Sequence, residues 1–72
     1  MPNIAMNSDA AAIREAAYPL TGAPTDFDAA LARLRARGVA IAYGPYPRTA
    51  EQRANVIVRN NSGNLLQLFG PR

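Results

Sequence analysis

The sequence predicts a small α+β domain, and three observations carry that reading. Residues 54–70 read as two strands joined by a polar turn. Residues 26–37 carry a helical stripe with matched charges and a glycine at its end. A chain of 72 residues with no cysteine then has room for one domain and no disulfide to hold it together. Chains of this size bury a limited core, so association with another chain is the remaining way to enlarge it.

Taken in order, residues 2–6 (Pro2-Asn3-Ile4-Ala5-Met6) fit a short strand, with Ile4 and Met6 on one face and Asn3 and Ala5 on the other. Asn7, Ser8 and Asp9 offer N-cap oxygens for an alanine-rich helix over residues 10–18, which Pro19 stops. Ile13, Ala17 and Leu20 give that helix a thin apolar face. Residues 21–24 form a connector.

The best helix spans residues 26–37, capped by Thr25 or Asp26. Phe27, Ala30, Leu31 and Leu34 recur at i, i+3, i+4 and i+7. Asp26 and Asp28 sit at the positive end of the dipole, and Arg33, Arg35 and Arg37 at the negative end. Gly38 stands where a left-handed C-cap belongs. At 100° per residue the three arginines form no single stripe, so they read as a solvated helix end, and nucleic acid is not the expected partner.

Residues 39–43 read as a strand, with Val39, Ile41 and Tyr43 on one face and alanines on the other, ended by Gly44 and Pro45. A polar connector over residues 48–53 leads to the final hairpin. Val56, Ile57 and Val58 are β-branched, and residues 60–64 carry no apolar side chain. A period of two puts Leu65, Gln67 and Phe69 on one face of the last strand and Leu66 and Leu68 on the other. Both faces are therefore largely apolar, with the polar amide of Gln67 in the middle of one. Leu66 and Leu68 are expected to pack on the long helix, which leaves Leu65 and Phe69 for a second copy of the chain.

Residues 27–39, the Gly-Pro at 44–45 and the stretch Asn60-Asn61-Ser62-Gly63-Asn64-Leu65-Leu66-Gln67-Leu68-Phe69 together resemble one module of the vicinal oxygen chelate superfamily. That group includes glyoxalase I, bleomycin-resistance proteins, fosfomycin-resistance enzymes and extradiol dioxygenases. The resemblance implies a βαβββ module, here with an extra short N-terminal helix. It also implies a curved mixed sheet completed by dimerisation, so that two chains form the cup that relatives build from two modules. The whole of residues 1–72 is then one module, with the strand and short helix in 1–24 and the helix and three-stranded core in 25–70.

In the metalloenzymes of that superfamily a histidine on the first strand and a glutamate on the last hold the cavity metal. By position those ligands fall on Asn3 and Gln67, two neutral amides with weak carbonyl donors. Histidine is absent from the chain, and the acids Asp9, Glu15, Asp26, Asp28 and Glu51 belong to helix starts, helix surface or a connector. No metal or other cofactor is expected, and the enzyme reading recedes. The expected function is small-molecule binding of the bleomycin-resistance type. A metal-dependent glyoxalase- or dioxygenase-like enzyme, and a ligand-free interaction module or gene fragment, are the alternatives.

The residues expected to meet the ligand are Gln67, Tyr43, Phe69, Arg59 and Leu65. Gln67 also fits a hydrogen-bonded amide in a packed interface, and aromatics at strand spacing also fit a core. Arg48, Arg53 and Arg59 flank the expected cup. With eight arginines, no lysine and a net charge of +3, an anionic or neutral aromatic small molecule is the expected ligand class. No run of 18 apolar residues and no charged-then-apolar leader occurs, so no membrane partner and a cytoplasmic location are expected.

Overall fold

Two helices precede a three-stranded antiparallel sheet in the computed structural model of the chain, which describes residues 10–60 and 62–72. The elements are α1 (Ala10–Ala17), α2 (Phe27–Ala36), β1 (Ala40–Tyr46), β2 (Asn55–Arg59) and β3 (Leu65–Phe69), with strand order β1-β2-β3. The fold class is α+β. The strand expected at residues 2–6, and with it Asn3 and any parallel pairing in the sheet, lies outside the described residues.

Both ends of α2 follow from local chemistry. Asp26 is the N-cap, with extended backbone, and its Oδ1 accepts from the Ala29 N–H at 3.2 Å. At the other end Gly38 adopts φ +75°, its N–H donates to the Arg35 carbonyl, and the Val39 N–H donates to the Leu34 carbonyl, both at 3.0 Å. That pair of bonds is a Schellman motif, and it needs a residue at ease in the left-handed region. The motif also brings Val39 back onto Leu34, and both are buried.

The core lies between the helices and one face of the sheet. Ile13, Ala16, Ala17 and Tyr18 enter from the first helical segment, Ala30, Leu31 and Leu34 from α2, and Val39, Val56, Val58 and Leu68 from the strands. Phe27, Ile41 and Leu66 pack against its border. Gly70 approaches α2 so closely that an added Cβ would lie 3.1 Å from the Phe27 Cβ.

Three expectations need correction. Leu20 is 94% exposed and not part of the α1 face, because α1 ends at Ala17 and the chain turns before Leu20. Arg33 is not a solvated end group. It is half-buried, and its Nη2 donates to the Ala17 carbonyl at 3.0 Å, which places a cation on the C-terminal carbonyls of α1. Finally, β1 does not stop at Gly44 but runs on through Pro45 to Tyr46. Proline is tolerated there because β1 is an edge strand among the described residues and is irregular at that point.

The irregularity of β1 also changes which way its side chains face. Ile41 pairs with Val58, but Tyr43 pairs with Ile57, and a further shift precedes the pairing of Tyr46 with Asn55. Directly paired residues share a face. Ile41 therefore joins Val58 on the helix-covered face, and the bulge turns Tyr43 to the opposite face with Ile57. Gly44, at φ +87°, carries the chain through the second shift, where a side chain would meet the Tyr46 backbone N at 3.0 Å. Val39, Ile41 and Tyr43 thus do not share one face, as strict alternation predicts.

Candidate functional site

The face of the sheet turned away from the helices is a lattice of paired residues. Its rows, read from β1 to β3, are Ala40–Arg59–Leu65, Tyr43–Ile57–Gln67 and Tyr46–Asn55–Phe69. Tyr43, Arg59, Leu65, Gln67 and Phe69, singled out in the sequence as ligand residues, all fall on it. Tyr43 and Leu65 are each about half exposed, at 51% and 52%, and Tyr46 and Phe69 are open to a lesser degree. Among the described residues, then, this face is an uncovered apolar and aromatic surface.

Its polar groups are ordered from below. Asn55 is 4% exposed although it lies on the open face. Its Nδ2 donates to the Arg53 carbonyl at 2.9 Å, and its Oδ1 accepts from Gln67 Nε2 at 3.2 Å. The second bond fixes the orientation of the Gln67 amide and leaves Gln67 Oε1 as an acceptor. The Gln67 side chain is thus exposed and held through its amide nitrogen by Asn55.

Arg53, expected with Arg48 and Arg59 to flank the cup, lies beside Phe69 of the open face. Its Nε and Nη2 both donate to the Gly70 carbonyl, at 2.9 and 2.6 Å, and its guanidinium carbon lies 5.2 Å from the centroid of the Phe69 ring. A bidentate hold and a ring beneath it fix this cation in place. Arg59 does lie on the face, beside Leu65. Arg48 instead borders a groove with Phe27, Asp28 and Leu31 of α2.

The outer edge of β3 is organised by one further residue. The Gly70 N–H donates to the Ala54 carbonyl at 2.8 Å, so Ala54 and Gly70 form a hydrogen-bonded pair. Alternation then directs the backbone groups of Phe69 and Gln67 away from β2. The Phe69 carbonyl is taken by the Tyr18 hydroxyl at 2.7 Å. Burial pushes the Tyr18 phenol above its ordinary value, and the positive charges of Arg53 and Arg14 pull it partway back. Nothing local in the sequence marks Tyr18 for this role, since its partner is 51 residues away.

The face offers ring surfaces, an amide, phenols and guanidinium groups. Glu15, Asp26, Asp28 and Glu51 are exposed and lie on helices or the connector, and no group of three metal-ligating side chains occurs among the described residues. Asn3, the other position at which the resemblance would place a metal ligand, lies outside them. Such an inventory serves stacking, hydrogen bonding and charge recognition. No helix among the described residues is long and apolar enough to cross a membrane. No protein-family model, curated protein or solved structure matches the chain.

Proposed function

We propose that the chain is a small-molecule-binding module of the bleomycin-resistance type, acting by sequestration, with the open sheet face as one wall of a cup and a second copy of the chain as the other. The observation that carries the proposal is the convergence of Tyr43, Arg59, Leu65, Gln67 and Phe69 on one uncovered face. Tyr43 and Phe69 supply ring surface for a flat ligand, Gln67 Oε1 supplies a fixed acceptor, and Arg59 supplies charge at the rim. The net charge of +3 favours anionic or neutral ligands over cationic ones.

A second copy completes the site because the exposed surface is broad and largely apolar. Soluble monomers expose contiguous apolar patches of at most a few hundred Å². A two-fold partner presenting the same face covers the patch, and burying ~800 Å² per chain is ordinary for such a contact.

A thermal-shift screen against anionic and neutral aromatic small molecules tests the binding reading. A ligand specific to the native state raises the melting temperature of the wild-type chain and not that of Tyr43→Ala. A screen in which no compound does so argues for a ligand-free interaction module. A compound that stabilises both proteins equally binds somewhere other than this face.

A further inference from the structure

We infer that the cleft between α1 and the outer edge of β3 is a phosphate-binding site, formed by Arg14 from the helix and Arg53 from the connector before β2. The cleft measures roughly 300 Å³, and Arg14, Tyr18, Pro24, Arg53, Gln67 and Phe69 are among its lining residues. That volume lies at the lower end of the range for small-molecule sites. No carboxylate lines it. Neither arginine makes an ion pair among the described residues, so two positive charges face one concavity without a counter-charge.

The two cations differ in how they are held, and the difference suits an anion site. Arg53 is half-buried and already fixed by the Gly70 carbonyl and the Phe69 ring. The Nη1 amino group takes no part in that hold, and it remains a donor. Because the side chain is ordered before a ligand arrives, binding costs little of its rotamer freedom. Arg14 is exposed on α1 and free to close on a bound group. Both side chains line the cleft together with the Tyr18 phenol.

Charge matching selects phosphate over a carboxylate. Two guanidinium groups on separate elements neutralise a dianion, whereas a single carboxylate leaves one of them uncompensated. The Gln67 amide and the apolar edge of Phe69 then border the rest of the ligand. This cleft lies along the β3 side of the sheet and needs no second chain, although Gln67 and Phe69 border both it and the cup described above.

The test is calorimetric titration with inorganic phosphate at fixed ionic strength, with acetate and chloride as competing anions. Phosphate also stabilises proteins by exclusion from their surface, so binding is read directly and not from melting alone. Arg14→Gln is the diagnostic variant because Arg14 is exposed and its loss leaves the core intact. Arg35→Gln removes the same unit of charge from the exposed face of α2 and controls for the overall field. The inference predicts saturable phosphate binding that weakens by about tenfold in Arg14→Gln and by less than about twofold in Arg35→Gln. Equal weakening in the two variants, equal binding of acetate and phosphate, or no saturable phosphate binding would overturn it.

Discussion

The Tyr18 hydroxyl donates a 2.7 Å hydrogen bond to the backbone carbonyl of Phe69 and so ties the end of α1 to the last strand. The carbonyl faces outward from the β3 edge, where no neighbouring strand among the described residues takes it. Phe69 in turn lies beneath Arg53, so one contact links the helical layer, the sheet edge and the fixed cation.

Tyr18→Phe removes the hydroxyl and leaves the ring. The expected cost is about 1 kcal/mol, since the Phe69 carbonyl lies at an edge where water has partial access. The variant also changes the response to alkali. The native phenol titrates above its ordinary value of 10.0, so above that pH the unfolded chain binds fewer protons than the native one. Stability from this group is fully present below pH 10 and is lost as the pH rises through the native pKa. Chemical denaturation between pH 8 and 11 should show this decline in the wild type and a shallower one in Tyr18→Phe. Equal slopes would separate Tyr18 from the alkaline transition.

Leu34→Asp should prevent folding. Leu34 is 1% exposed at the centre of the α2 stripe, among the apolar side chains of the core. The loss of a large side chain together with burial of a charge costs at least ~3 kcal/mol, a large share of a small domain's stability. Arg35→Ala, on the exposed side of the same helix, should be near neutral. Circular dichroism melts that reverse this order would place the wrong face of α2 against the sheet.

Gly38→Ala isolates the Schellman turn. Space for the added Cβ exists, since no atom lies within 4 Å of it, so the penalty comes from φ +75° alone. The expected loss is about 1 kcal/mol, or roughly 4–8 °C in melting temperature for a domain of this size. A change below about 1 °C would mean that the turn relaxes to another conformation at no cost.

Features set by short-range chemistry were legible in the sequence. Asp26, the α2 stripe and Gly38 each announce themselves within a few residues, and the structure realises the cap, the buried face and the left-handed turn. The alternation of β3 was equally readable, because five regular residues leave no room for a register shift. In β1 the same rule misplaced Tyr43 relative to Ile41, since a bulge inserts a residue without any mark in an Ala-Ile-Ala-Tyr run. Tyr43 still reached the candidate site, opposite Ile57.

The unread part of the candidate site consists of long-range contacts. Tyr18 sits before Pro19 and reads as the end of a helix, while its hydroxyl is spent on the far end of the chain. Arg53 reads as a cation flanking the cup, but its hold on the Gly70 carbonyl forms only because Gly70 folds back beside it. Asn55 opens a β-branched strand, and only the pairing of β2 with β3 brings it to Gln67. Leu20 shows the converse error: apolar spacing across Pro19 suggested burial that the turn after α1 prevents.

Arginine introduced at Leu65 is the sharpest probe of the shared cup. Leu65 is half exposed and takes no part in the core, whereas Phe69→Arg would also disturb Arg53. In a chain that pairs through this face, Leu65→Arg adds a cation beside Arg59 to each side of the closed interface. Like charges in a closed interface cost several kcal/mol, enough to break the contact. In a chain that works alone the variant melts as the wild type does.

The mass of the chain in solution, read by light scattering behind size exclusion at micromolar concentration, tests the shared cup most directly. The shared cup predicts twice the 7.7 kDa chain mass for the wild type and loss of that species in Leu65→Arg. A stably folded 7.7 kDa wild-type monomer with the open face exposed to water would contradict it.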